Sequence, residues 1–107
     1  MYVVTNAIRI QPGFGESLLK GFRERKGIEQ SPGFVRLEIL RTEGLEEYEE
    51  YRICTTWENK EAFTLWTKGE AFRRAHSGKR EKKDYILGNQ VSMYEVVLAE
   101  NAAVEVN

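Results

Sequence analysis

Apolar and polar residues alternate from Tyr2 to Ile10: Tyr2, Val4, Asn6, Ile8 and Ile10 share one side, Val3, Thr5, Ala7 and Arg9 the other. A period of two, rich in β-branched residues, predicts a strand. Pro12-Gly13 ends it. From about Gly13 to Arg25 the period changes: Phe14, Leu18 and Phe22 recur at i, i+4 and i+8, and Leu19 widens the stripe. That is an amphipathic helix. Its last turn carries Arg23, Arg25 and Lys26, where cations suit the helix dipole, and Gly27 stops it. Ser31-Pro32-Gly33 is a turn. Alternation resumes over 34–42, with Val35, Leu37 and Ile39 on one side and Phe34, Arg36, Glu38 and Leu40 on the other. Residues 43–50 are acidic, contain Gly44 and predict a hairpin loop. A third strand over 51–57 puts Tyr51, Ile53, Thr55 and Trp57 on one face. Asn59 is placed to cap a helix carrying Ala62, Phe63, Leu65 and Trp66. Gly69 interrupts it, and a second piece carries Ala71, Phe72, Ala75 and His76. Residues 77–84 are polar and basic, Gly88-Asn89 signals a turn, and 91–99 predicts a last strand before a short acidic, frayed tail from Glu100.

The order β-α-β-β-α-β predicts an α+β fold of the ferredoxin-like kind: a four-stranded antiparallel sheet with helices on one face, as one domain over 1–107. The uncovered face would include Tyr51, Ile53 and Trp57, or their opposites. That is more apolar surface than a solvated sheet carries, which predicts a homodimer packed sheet on sheet.

Composition narrows the classes. The chain has 107 residues and a formal net charge of -1, with 16 Lys+Arg against 17 Asp+Glu, so no cationic excess seeks nucleic acid. One cysteine, Cys54, excludes an internal disulfide and a four-Cys zinc site. No apolar run approaches the ~20 residues of a membrane span. The first residues, Met1 to Asn6, have no basic region and no small-residue cleavage site, so they do not read as a signal peptide. The expectation is a soluble, cytoplasmic protein with neither nucleic-acid nor membrane partners.

Three residues stand out chemically. Asn6 shares a face with Val4, Ile8 and Ile10, and burying an unpartnered amide costs roughly 2–7 kcal/mol. It is either a structural amide bonded to nearby backbone or a polar group aimed at a ligand. His76, the single histidine, follows Phe72 and Ala75 on a helix. It is either a boundary residue or a ligand, and one His suffices as axial ligand to a haem iron, since the porphyrin supplies four nitrogens. Trp66 is either a core aromatic or, with the break at Gly69, a wall of the same cavity as His76. Other chemistries fare worse. Gly13-Phe14-Gly15 lacks a third glycine, and no P-loop or nucleophile elbow is present. Cys54 reads as a structural thiol, and the basic run 79–83 as a solvated loop.

Taken together, Asn6, Lys26-Gly-Ile-Glu29, Pro32-Gly-Phe34, Thr56-Trp57-Glu58, Glu61-Ala-Phe-Thr-Leu-Trp66 and Phe72-Arg-Arg-Ala-His76 resemble the IsdG-type haem-degrading monooxygenases of the antibiotic biosynthesis monooxygenase (ABM) superfamily. The likeness runs to about residue 99. It implies a homodimer whose sheets form a central α/β barrel, with one haem per protomer between sheet and helices. It implies that His76 is the axial iron ligand, that Asn6 donates a hydrogen bond on the distal side, and that Trp66 presses the porphyrin out of plane. Arg23, Arg25 and Lys26 could approach the propionates, or form a solvated helix end. The implied reaction is that of a haem oxygenase: haem is substrate and cofactor, oxygen and an external electron donor such as a reductase open the ring to a bilin-type product, and iron is released. Two rivals remain: a cofactor-independent ABM-type monooxygenase acting on a polycyclic or quinol substrate, and a non-enzymatic haem-binding or shuttling dimer.

Overall fold

Alternation over the first ten residues becomes a nine-residue strand, β1 (Tyr2–Ile10). In the computed structural model, which describes residues 1–24, 27–75 and 83–103, it is followed by α1 (Gly15–Glu24), a 3₁₀ turn (Ile28–Gln30), β2 (Phe34–Arg41), β3 (Glu49–Trp57), α2 (Lys60–Thr67), α3 (Glu70–Ala75) and β4 (Ile86–Glu95). The strands form one antiparallel sheet in the order β2-β3-β1-β4, so β1 is an interior strand. This is the expected ferredoxin-like plan.

Several boundaries differ, each for a physical reason. Gly13 and Phe14 precede α1 rather than open it: Gly13 takes φ +95° and its N–H is bound by the Glu49 carboxylate at 2.7 Å. Phe14 instead stacks on Tyr85, with centroids 4.9 Å apart. The acidic loop is shorter than its composition suggests, because Glu49 and Glu50 already pair with Ile10 and Arg9. Gly88-Asn89 is no turn. It lies inside β4 opposite Arg9 and Ile8, and a register shift beyond Arg9 accommodates the stretch. Ladder pairing with an interior strand has overridden local turn propensity. β4 also ends earlier than expected: Tyr2 opposite Glu95 is the last pair β1 provides, and Val97 and Leu98 beyond it are exposed. In β2 a bulge between Phe34 and Arg36 breaks strict alternation. Phe34 thereby joins Leu37 and Ile39 on the side of Trp57.

The register decides the two faces. Tyr51, Ile53 and Trp57 pair with Ile8, Asn6 and Tyr2, and they lie under the helices. The open face carries their opposites: Arg52, Cys54 and Thr56 beside Val3, Thr5 and Ala7. It is therefore mixed in polarity, not the apolar sheet expected. A depression of about 560 Å³ on that face is lined by Arg9, Glu50, Arg52, Ser92 and Tyr94 among others. Burial pushes the Cys54 thiol above its ordinary range, which suits a packing role rather than a nucleophile.

Beneath the helices the core divides. Ile8, Ile10, Leu18, Tyr51 and Ile53 form one cluster, with Leu19 and Phe22 of α1 packed on it. Val4, Trp57 and Ala62 form a second, packed by Tyr2, Phe34, Phe63 and Trp66. One helix thus covers each end of β1.

Candidate functional site

Asn6 belongs to neither cluster. It sits on β1 midway between Val4 of one and Ile8 of the other, half-buried, on the helix-covered face. Its cross-strand neighbours are Ile53 and Val91. On β4, Val91 and Met93 share this face and are 52% and 54% exposed. The middle of β1 and the adjoining part of β4 therefore form an apolar shelf that neither helix covers, with the carboxamides of Asn6 and Asn89 set in it. The two are partners: Asn89 Nδ2 donates to Asn6 Oδ1 at 3.0 Å. Asn89 was passed over in the sequence because Gly88-Asn89 reads locally as a turn. Only the β1–β4 register places it beside Asn6.

Trp66 stands at the C-terminal end of α2, half-buried. Its ring lies 6.4 Å from that of the fully buried Trp57, tilted by 31°, and 6.0 Å from Phe72 in an edge-to-face contact. The chain fixes this position from its other end. Asn59 Oδ1 accepts from the Ala62 N–H at 2.8 Å, capping α2 as expected. Gly33 O accepts from the Glu58 N–H at 2.8 Å, tying the helix entry to the turn before β2. Gly33 takes φ +82°, and Ala62 packs so closely against it that a Cβ there would collide with the alanine methyl. After Trp66 the Gly69 N–H bonds back to the Trp66 carbonyl, ending α2, and Arg73 N–H bonds to the Gly69 carbonyl as α3 begins. The break at Gly69 is as the sequence suggests.

The other candidates are placed unequally. Arg23 points along α1 to Glu16, with Nη1 and Oε2 3.1 Å apart, both side chains largely exposed. Glu16 is held below its ordinary value first by this hydrogen bond and then by the charge of Arg23, and Arg23 is raised reciprocally. A solvated pair of this kind contributes little to stability. Arg25, Lys26 and His76 lie outside the described residues. The basic run is seen at its end, where Lys83 Nζ approaches Gly21 of α1. Among the described residues, no group of three or more His, Cys, Asp or Glu is arranged to hold a metal ion, and no helix is long and apolar enough to cross a membrane.

The fit to a flat, largely apolar macrocycle follows from these contacts. The floor is apolar and half-exposed, the wall is aromatic, and the paired amides of Asn6 and Asn89 provide the polar contact, which are features found in ligand clefts. The open-face depression, lined by charges and hydroxyls, offers nothing comparable.

The antiparallel sheet with its helices on one face is a ferredoxin-like domain, with an amide set in an apolar gap on the helix side. The chain belongs to the antibiotic biosynthesis monooxygenase family, whose model matches residues 1–78. It is 45% identical over 96 residues to a protein of Shouchella clausii named heme-degrading monooxygenase, covering 90% of each chain. MhuD, the heme-degrader of Mycobacterium tuberculosis, solved with two hemes bound in its active site, is 35% identical with a TM-score of 0.72, covering 94% of this chain and 100% of that one. A Bacillus cereus structure bearing the family's name superposes with a TM-score of 0.83 over 97% of this chain and 98% of that one; at 24% identity it speaks to the fold alone. These relatives bear out the resemblance to haem-degrading monooxygenases read from the sequence.

Proposed function

We propose that this protein is a haem-degrading monooxygenase. The observation that carries the reading is the shelf that the described helices leave open between the two core clusters, where Asn6 lies on the strand between Ile8 of one cluster and Val4 of the other, on which Trp66 packs. The 45% identity to a named heme-degrading monooxygenase and the 35% identity to MhuD support it. Bound haem supplies the iron that activates oxygen and the ring that is opened, with electrons from an external donor; the products are a bilin and free iron.

The chain's own residues then have distinct tasks. Val91, Met93 and the aromatic wall exclude water from one side of the ligand. Trp66, braced by Trp57 and Phe72, would bear on the face of the ring. Asn6 presents a hydrogen-bond donor from a rigid interior strand, where a donor aimed at developing negative charge contributes to rate. His76 would hold the haem iron through an imidazole nitrogen. Arg23, in the last turn of α1, and Arg25 and Lys26, which follow it in sequence, are the cations that would meet exposed carboxylates of the ligand; Arg23 would exchange Glu16 for such a partner. The protein acts as a homodimer through the open sheet face, in a reducing cytoplasm that leaves Cys54 unpaired.

The test is direct. Haemin added to the pure protein is expected to give a shifted Soret band that decays when ascorbate is added in air. A shifted band that is stable to ascorbate favours a haem-binding protein without the reaction. No shift at all ends the haem reading.

A further inference from the structure

A surface lysine ordinarily stands in water or meets a carboxylate. Lys83 is half-buried, and among the described residues its ammonium has neither an ion-pair nor a hydrogen-bond partner. It lies instead against α1, where a Cβ at Gly21 would stand 3.2 Å from Nζ. The backbone that carries it is tied down. The Ile86 N–H donates to the Lys83 carbonyl at 3.1 Å, the Gln11 N–H donates to the Tyr85 carbonyl at 2.9 Å, and Tyr85 stacks on Phe14.

The topology says where this charge is. α1 starts at Gly15 against Tyr51, which pairs with Ile8, and its Leu18 belongs to the first core cluster. Beyond the end of α1, Ile28 packs on the second cluster, with Val4 and Trp57. The helix therefore runs back alongside β1 from the Ile8 end toward the Val4 end, and Asn6 lies between them. Gly21 is past the midpoint of that helix. Lys83 leads into β4, the strand that flanks β1 on the side away from β3. Its ammonium thus sits on the β4 flank of α1, at the rim of the shelf that holds Asn6, Val91 and Met93. Arg23 of the same helix is already bonded to Glu16.

We propose that Lys83 is a specificity-determining residue: it gives the shelf a preference for flat apolar ligands that carry an acidic group at their edge. An ammonium is a compact charge with three rotatable donors, so it needs no fixed orientation for this task. Partial burial weakens solvent screening and strengthens its pull on an anion. Where haem is the ligand the acidic group is a propionate. That identification rests on the haem reading above, whereas the preference for an acidic group does not.

Two pairs of probes test it, each pair differing in charge on one ring system. Haemin is compared with haemin dimethyl ester by Soret shift, and anilinonaphthalene sulfonate with neutral phenylnaphthylamine by fluorescence. The wild type is expected to bind the acidic member of each pair more tightly. Lys83→Met keeps most of the stem and removes the charge. It is expected to weaken the acidic probes about fivefold, the scale of a half-exposed ion pair, and the neutral probes little. Lys83→Arg should keep most of the preference, and salt at about 0.5 M should shrink it in the wild type. A preference left intact in Lys83→Met overturns the proposal. So does equal weakening of acidic and neutral probes with a lowered urea midpoint, which marks a lysine that only braces α1. A wild type that shifts no Soret band ends the haem reading, and the naphthalene pair still decides whether Lys83 selects for an acid. If neither pair binds, the shelf takes no such ligand and the proposal falls.

Discussion

Gly33 offers the sharpest test of how the cleft wall is held. Two features bear on a substitution there. The backbone takes φ +82°, a region that costs an L-residue about 1–2 kcal/mol relative to glycine. An added Cβ would also meet the Ala62 methyl and, behind it, the backbone of α2. Overpacking of a well-filled contact costs typically 1–3 kcal/mol more. Gly33→Ala is therefore expected to destabilise by about 2–5 kcal/mol, a large part of the 5–15 kcal/mol typical of a domain. Gly13 is the internal control. It has φ +95° but nothing within 4 Å of an added Cβ, so Gly13→Ala should lose only the backbone component. Urea unfolding at equal m-values measures both. Ala62→Gly should partly rescue Gly33→Ala, because it removes the colliding methyl, whereas it should not rescue Gly13→Ala. Equal destabilisation by the two glycine substitutions, or a lack of rescue, would refute the seating of α2 on the turn before β2.

Asn6→Ala should leave haemin affinity within a few-fold of wild type and slow single-turnover decay with ascorbate by roughly 10²-fold, the scale of one lost oxyanion-type donor; unchanged decay removes Asn6 from the reaction. His76→Ala should abolish turnover and alter the ferric Soret and visible bands, and a variant with wild-type spectrum and rate would show the axial ligand to be another group. Glu50 is held below its ordinary value of 4.5, first by the Thr42 hydroxyl, which donates to it at 2.8 Å, and then by Arg9 and Arg52. Its contribution to stability is complete above about pH 4.5 and is lost as pH falls through the lower folded value, so Thr42→Val should flatten the acid limb of a stability–pH curve, and an unchanged limb would refute that linkage. Light scattering at low micromolar concentration should return twice the 12.4 kDa of the chain, and a clean monomer would end the homodimer reading.

Much of the fold was legible because its signals are local. The alternation of Tyr2–Ile10, the Asn59 cap and the break at Gly69 each act within a few residues, and each is where the sequence puts it. What was not legible depends on partners distant in the chain. Strand β4 runs through a glycine-asparagine pair because β1 supplies its ladder, and Phe34 changes sides because of a bulge that strict alternation cannot show. The polarity of the open face follows the same logic: which of Tyr51 or Arg52 faces the helices is decided by register with β1, and a one-residue slip would reverse it. For the site, Asn6 and Trp66 were legible as chemistry out of place or at a helix break. Asn89 was not, because its meaning lies entirely in a cross-strand contact.

The division of the core bears on how such a small domain can bind tightly and still react. α1 closes over Ile8 and Ile10, and α2 closes over Val4 and Trp57. Bringing the helices together over the middle of β1 would bury Val91 and Met93 as well, which are now about half-exposed. Covering each of these contributes on the order of 1 kcal/mol. The fold forgoes that gain, and on the haem reading a flat apolar ligand would recover it on entering. The polar atoms are placed differently. Asn6 lies on a strand paired on both sides, by β3 and β4, and is hydrogen-bonded to Asn89, whereas the wall carrying Trp66 stands on an eight-residue helix. On the haem reading, binding surface is thus spread over several replaceable apolar side chains, and the group proposed to act in the reacting state sits on a strand paired on both sides. Substitutions in the wall should therefore move affinity and rate together, while substitution of Asn6 should separate them.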